Sequence, residues 1–170
     1  MEIALNKLCK KTHKIWHKDS VLPEKLDLIV IPGGFSYGDY LRCGSLAAHS
    51  TIMNEVIKYA KSGGRVLGVC NGFQILTEAG LLPGVLLRNK KIKFLSKRVN
   101  LQVINKNTDF TKKIKAPTIN IPIAHHDGNY FCSNEDLKTL EENEQIIFKY
   151  VDNPNGSIGD IAGISNKNKN

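Results

Sequence analysis

Two short apolar runs, each followed at once by glycine, dominate the first half of the chain. Residues 26–31 (LDLIVI) predict a buried strand that stops at the proline and glycines of residues 32–34, and residues 65–69 predict a second one. Residues 50–61 carry apolar side chains at helical spacing, and a further helix pattern covers residues 71–79. The order strand, helix, strand, helix favours a parallel sheet covered by helices.

The flanking segments are less regular. Residues 1–14 show weak helical spacing, and residues 14–17 predict a short strand. Further strands are predicted at residues 93–104, 118–124, 145–151 and 158–165. A short acidic helix is expected to open at Asn134 with that asparagine as its N-cap, and residues 152–156 predict a hairpin turn. Without an internal repeat or a linker, residues 1–170 are predicted to form a single domain.

Composition excludes several classes of protein. The chain has 170 residues, 41% of them hydrophobic, which is enough for one core, and no apolar run is long enough for a membrane span. The first residues lack the plan of a signal peptide. The four cysteines form no CxxC pair, which argues against a zinc site or a disulfide scaffold and favours reduced thiols in the cytoplasm.

The net charge of +8 is concentrated in one segment. Residues 88–115 hold ten basic side chains against one acid, Asp109. Such a segment could bind nucleic acid or dock an acidic protein, but few aromatic side chains are interleaved for base stacking. A solvated strand face is the simpler interpretation, and we expect no nucleic-acid partner and no membrane contact.

Cys70 carries the most informative local pattern. It lies between Gly68 and Gly72, after a predicted strand and immediately before a predicted helix. This is the strand–sharp turn–helix context of a nucleophile elbow, with sulfur in place of oxygen. The helix N-terminus favours a thiolate. An isolated cysteine after a strand is more often a buried small hydrophobe, but the flanking glycines favour the nucleophile.

Other polar positions could join that site. Residues 32–39 follow a strand, and backbone N–H groups of such a glycine loop could hold an oxyanion. Gln74 lies one helical turn beyond Cys70 and could face the same pocket. His125 and His126, followed by Asp127, are compatible with a general base, a metal ligand or an ordinary loop.

Two long motifs make the chain similar to a known family. Residues 32–42 (PGGFSYGDYLR) and 68–76 (GVCNGFQIL) resemble the class I glutamine amidotransferases. Residues 80–84 (GLLPG), 122–125 (PIAH) and 153–157 (NPNGS) narrow the resemblance to the glutaminase subunits of phosphoribosylformylglycinamidine synthase, over essentially all of the chain.

The resemblance implies a flavodoxin-like α/β fold, mainly a parallel sheet with flanking helices. It implies that Cys70 attacks the side-chain amide of glutamine, that backbone N–H groups of Gly34 and Asn71 form the oxyanion hole, and that Gln74 and Arg42 help to seat glutamine. The released ammonia would pass to a large ATP-dependent synthase subunit of purine biosynthesis. ATP and Mg²⁺ are expected on that partner, with no cofactor and no metal in this subunit.

The chain also departs from the family pattern. The family has a first strand with a Pro-Gly-Ser-Asn-Cys turn, and near its end a His-Pro-Glu that supplies a base and its orienting carboxylate; residues 1–170 contain neither. Asp127 stands where glutamate is usual, and His126 where glycine is usual. Without a base we expect reduced turnover by this chain alone. Alternatives are an inactive remnant or fragment of that subunit, and a redox or chaperone-like protein with a similar cysteine elbow.

Overall fold

The computed structural model describes residues 1–9 and 11–170, which divide into two compact units, Met1–Ala79 and Gly80–Asn170. The predicted single domain remains a prediction. In the first unit the described elements are α1 (Glu2–Leu8), β1 (Ile29–Ile31), α2 (Ser45–Ala48), α3 (Thr51–Lys61), β2 (Val66–Gly68) and α4 (Asn71–Glu78). In the second they are β3 (Val85–Leu87), β4 (Leu95–Val103), β5 (Thr118–His125), β6 (Asn129–Phe131), α5 (Asn134–Glu142), β7 (Ile146–Tyr150) and β8 (Ile161–Ile164).

The first unit is built on a parallel pair of strands. β1 and β2 pair in register, with Ile29 opposite Val66 and Ile31 opposite Gly68. α3 makes the crossover between them, as parallel strands require. A core of buried side chains packs against this pair: Ala48, Met53, Val56 and Ile75. Because the strands are parallel, their carboxyl ends lie side by side, and the segments that follow them meet there.

Most predicted elements of this unit are confirmed, with shorter strands. The helix predicted over residues 50–61 begins at Thr51, with Ser50 as its N-cap. The predicted strand at residues 14–17 is wrong. The N–H of Trp16 instead donates to Asp19 Oδ2 at 2.9 Å, and a local side-chain acceptor of this kind competes with strand pairing.

The second unit is a four-stranded antiparallel sheet in the order β5-β4-β7-β8, with β3 and β6 as a separate antiparallel pair. Alternation along β4 buries Val99 and Leu101 against Ile123 and Tyr150. The α/β class and the helices are confirmed, while parallel pairing is confined, among the described strands, to β1 and β2. Strands joined by short connections pair antiparallel, and β7 and β8 are joined in this way.

The N-terminus of α5 corrects a predicted cap. Ser133, not Asn134, is the N-cap, and its Oγ accepts a hydrogen bond from the N–H of Asp136 at 3.0 Å. A serine in the extended conformation before an acidic first turn satisfies the same free N–H groups that an asparagine would. Ser133, one position before the predicted residue, therefore caps the helix.

The predicted turn after β7 is also a structural hub. Asn155 is fully buried: its Nδ2 donates to Gly128 O at 2.7 Å, and its Oδ1 accepts from the Ser157 N–H at 3.1 Å. Its carbonyl accepts the Lys90 N–H at 2.8 Å. The Ser157 hydroxyl in turn accepts the Tyr130 N–H at 3.0 Å. One asparagine thus connects the loop to the segments around β3 and β6.

We predict that Asn155→Ala destabilises the chain by about 2–4 kcal/mol, because it removes the side-chain partner of the Gly128 carbonyl and of the Ser157 N–H, and a buried group left unpaired costs roughly 1–3 kcal/mol. Urea denaturation followed by circular dichroism measures the change. Asn107→Ala is the matched control, since that side chain is exposed and its loss should shift stability by less than about 0.5 kcal/mol. Equal free energies of unfolding for the two variants would contradict this structural role of Asn155.

Candidate active site

Cys70 occupies the sharp turn that its sequence context predicts. It joins β2 to α4 as the N-cap residue, with φ 56° and ψ −110°, and its side chain is exposed. A non-glycine residue in this region of backbone space is strained, and such strain persists only where the surrounding structure holds it. The turn between β2 and α4 therefore presents the Cys70 thiol to solvent, at the carboxyl ends of the paired strands β1 and β2.

The flanking glycines are required by close backbone approach. A Cβ on Gly72 would lie 2.0 Å from the Ile31 carbonyl oxygen, and one on Gly68 would lie 2.6 Å from the Gly72 oxygen. A Cβ on Gly33 would lie 3.2 Å from Cys70 Cβ and 3.9 Å from its Sγ. The glycine loop after β1 thus lies directly beside the thiol.

The predicted oxyanion-hole residues lie at this junction. Gly34 has φ 150°, and a Cβ there would meet nothing within 4 Å, so its backbone borders open space. Asn71 is the first residue of α4, where backbone N–H groups lack partners within the helix. The side chain of Asn71 is buried: its Oδ1 accepts the Ser36 N–H at 3.3 Å, and its Nδ2 donates to Gln74 Oε1 at 2.8 Å.

The two residues predicted to seat glutamine contact other side chains of the protein. Gln74 is buried on α4 and accepts that hydrogen bond from Asn71. Arg42 makes a two-pronged ion pair with Glu78, with Nε 2.6 Å from Oε1 and a terminal nitrogen 2.7 Å from Oε2. The hydrogen bond to Glu78 raises the pKa of Arg42 further above its ordinary value. The sequence did not indicate this partner, because Glu78 lies 36 positions away.

A cavity of about 730 Å³ adjoins the glycine loop within the first unit. Its lining is largely apolar but includes Ser36 and a hydrogen-bonded pair, Tyr37 and His17, whose Oη and Nδ1 lie 2.7 Å apart. The Ser36 hydroxyl is buried and has no hydrogen-bond partner among the described residues. A buried hydroxyl of this kind is available to a ligand. The sequence assigned no role to either side chain: Ser36 lies within the motif of residues 32–42, where the backbone N–H groups drew attention, and His17 belongs to no motif.

His125 belongs to the second unit and is enclosed. Its Nδ1 lies 3.0 Å from Asn89 Oδ1, which also accepts the Gly128 N–H at 3.1 Å. Its Nε2 is buried, without a hydrogen-bond partner among the described residues. Burial lowers the pKa of His125 below its ordinary value. These contacts favour a structural role for His125 over that of a base or a metal ligand. The neighbouring His126 has its Nδ1 3.6 Å from Asp127 Oδ2.

The basic segment is partly engaged in local contacts. Arg88 lies 3.8 Å from Asp127, and Arg98 donates to the carbonyl of Asn120 at 3.0 Å on the exposed face of β4 and β5. This arrangement favours the solvated strand face that the sequence suggests. Among residues 1–9 and 11–170, moreover, helices of the length and apolarity that a bilayer requires do not occur.

We predict that protonation of His125 lowers the free energy of unfolding as the pH falls. Because its pKa is lower in the folded state than its ordinary 6.5, the unfolded chain binds more protons between these two values. Stability is therefore full above about pH 6.5 and is lost as the pH falls through the folded pKa. His125→Gln should flatten the dependence of unfolding free energy on pH between about 7.5 and 5. The exposed His13→Gln should not, and an unchanged slope in His125→Gln would contradict the assignment.

Comparison with known proteins finds one family over nearly the whole chain. Residues 10–168 match the model of the CobB/CobQ-like glutamine amidotransferase domain. The phosphoribosylformylglycinamidine synthase subunit PurQ of Sulfurimonas denitrificans is 53% identical over 98% of this chain and 78% of that protein. The PurQ subunit of Pelagibacter ubique is 52% identical over 100% of this chain and 78% of that protein.

A solved structure extends the agreement to the fold. The structure of PurLQS from Thermotoga maritima is similar with a TM-score of 0.78 at 43% identity, covering 87% of this chain and 66% of that one. The resemblance read from the two long motifs is thereby confirmed. The chain belongs to the glutamine amidotransferase family and, within it, to the PurQ subunits of phosphoribosylformylglycinamidine synthase.

Proposed function

We propose that this chain is the glutaminase subunit of a phosphoribosylformylglycinamidine synthase and that Cys70 is its nucleophile. The observation that carries the proposal is the backbone of Cys70, strained at φ 56° between β2 and α4, with its thiol exposed beside Gly33. Among the cysteines of the chain, Cys43 and Cys132 are buried. An exposed thiol at a helix N-terminus is the arrangement that nucleophilic catalysis uses.

The chemistry proceeds in two steps. Cys70 Sγ attacks the side-chain amide carbon of glutamine, the C–N bond breaks, and ammonia leaves with the thiol proton, so that a glutamyl thioester remains. Water then cleaves the C–S bond, which releases glutamate and restores the thiol. Both steps pass through a tetrahedral oxyanion, which donors fixed in place stabilise more than they stabilise the substrate.

The backbone N–H groups of Gly34 and Asn71 are our proposed oxyanion donors. Gly34 borders the open space beside Cys70, and Asn71 begins α4, where the helix dipole adds to the effect. Removing one such donor typically lowers turnover by about 10²–10³-fold. Gln74 is our proposed residue for seating glutamine beside these donors; its side chain is hydrogen-bonded to Asn71, while Arg42 binds Glu78.

The relatives' names supply the reaction that uses the ammonia. The relatives are subunits of phosphoribosylformylglycinamidine synthase, and the similar solved structure is that of PurLQS. We therefore propose that a large synthase subunit, which holds ATP and Mg²⁺, receives ammonia from this chain, and that the complex is cytoplasmic. Glutamine is the one small-molecule partner that we assign to this subunit, with no cofactor of its own.

We predict that Cys70→Ala abolishes glutamine-dependent ammonia release by this chain mixed with its synthase partner, because no other exposed thiol lies on an elbow in the described residues. Ammonia is measured by a coupled reductive amination. Intact-mass analysis after a glutamine-like electrophile should show one adduct in the wild type and none in Cys70→Ala.

The exposed Cys9 offers the matched control. Cys9→Ala should retain release and the adduct. Release by Cys70→Ala at the wild-type rate would refute Cys70 as the nucleophile. Absence of release from the wild type in the presence of the partner would show that this chain has the architecture of a glutaminase without its turnover.

A further inference from the structure

The glycine loop that follows β1 continues to Gly44, and it is attached to α4 near its start and at its end. Near its start, the Ser36 N–H is held by the side chain of Asn71. At its end, a Cβ on Gly44 would lie 2.8 Å from the backbone of Gln74, so the chain passes directly over α4 there. The position of the loop is thus set by α4, which also carries the Cys70 turn.

The strongest of these attachments is the ion pair between Arg42 and Glu78. Both carboxylate oxygens of Glu78 are bound by Arg42, at 2.6 and 2.7 Å, and the Glu78 side chain is 8% exposed. Two parallel charge-assisted hydrogen bonds fix direction as well as distance. The Arg42 side chain is 60% exposed, so the buried carboxylate and the two-pronged geometry are what distinguish this pair from an ordinary surface ion pair.

The placement of Glu78 needs this partner. It is the last residue of α4, where the helix dipole disfavours a negative charge, and the last turn of α4 contains no basic side chain. A largely buried carboxylate at that end would be costly if unpaired. Arg42 therefore offsets an unfavourable charge and, in doing so, draws the loop onto the helix.

The backbone between the two attachments is strained. Tyr37, Asp39 and Leu41 adopt left-handed conformations, with φ of 53°, 56° and 67°. None is a glycine, and non-glycine residues remain in this region only where surrounding contacts force them. Loss of an attachment would let the loop relax, and the relaxation would move Gly33 and Gly34 relative to Cys70.

We propose that Arg42 and Glu78 form a positioning pair, which holds the glycine loop against α4 and so fixes the Gly34 N–H at its distance from Cys70. The inference rests on the proposed function, since it assigns the pair to the oxyanion loop of that reaction. It differs from the substrate contact that the family resemblance implies for Arg42. If Arg42 bound the substrate directly, replacing Glu78 would change turnover little.

The test measures kcat and KM for glutamine with the synthase partner present, in Arg42→Gln, Glu78→Gln and the exchanged pair Arg42→Glu/Glu78→Arg. Displacing a reacting group by about 1 Å costs on the order of 10²-fold. We therefore expect each single variant to lower kcat by about 10-fold or more at nearly constant KM, and the exchanged pair to recover most of the loss. Thermal melts establish that each variant is folded.

Glu55→Gln is the matched control, because it removes a carboxylate from an exposed ion pair with Lys58 on α3. It should retain wild-type kcat. An increase of KM in Arg42→Gln, together with wild-type kinetics in Glu78→Gln, would overturn the proposal in favour of direct substrate binding. Wild-type kcat in both single variants would overturn it as well.

A second readout does not depend on turnover. Amide hydrogen exchange at Ser36 and Gly38, whose N–H groups are bonded to Asn71 Oδ1 and to Phe35 O, should accelerate in Glu78→Gln. If the wild type releases no ammonia, the proposed function fails while faster exchange still supports the positioning pair. Unchanged exchange in Glu78→Gln refutes the pair whatever the turnover.

Discussion

The carbonyl oxygen of Ile31 is the constraint on which the site depends. It accepts the Val69 N–H at 3.0 Å, which extends the pairing of β1 and β2 to the edge of the turn. It also occupies the place that a Cβ on residue 72 would need. The chain after β2 must therefore turn sharply with glycine at position 72, and Cys70 absorbs the strain of that turn. The start of α4 and the approach of Gly33 to Cys70 lie at the same junction.

Strong periodic segments of the fold could be predicted, since burial of a face leaves a regular trace in the sequence. The amphipathic α3 and the alternating β4 are of this kind. The strands β3 and β6 are three residues long and pair with each other across about forty positions, which is too short a pattern and too long a separation to be read locally. The cap of α5 and the turn at Trp16 were decided by individual side-chain hydrogen bonds, which spacing alone does not specify.

The residues of the candidate site also fall into those that the sequence predicts and those that it does not. Cys70, Gly34 and Asn71 lie in segments whose glycines report backbone geometry directly, so the sequence was enough to bring them together. The roles of other residues depend on partners that the chain supplies from a distance. Neither the pair of Arg42 with Glu78 nor that of His17 with Tyr37 has a local signature. The resemblance implies a role for Arg42 at the site, but the partner of its guanidinium, Glu78, is brought to it only by the fold.

The cysteines illustrate why position, more than residue type, decides chemistry in this protein. Cys132 is buried, and burial raises the pKa of its thiol, which suppresses the reactive thiolate. Cys9 is exposed, but it follows the short α1 at its carboxyl end and has no neighbouring glycine. Cys70 alone among these three combines exposure with the amino end of a helix and with flanking glycines that allow close approach of the backbone. Exposure and place in the fold are thus the physical difference between the buried cysteines and the thiol at the elbow.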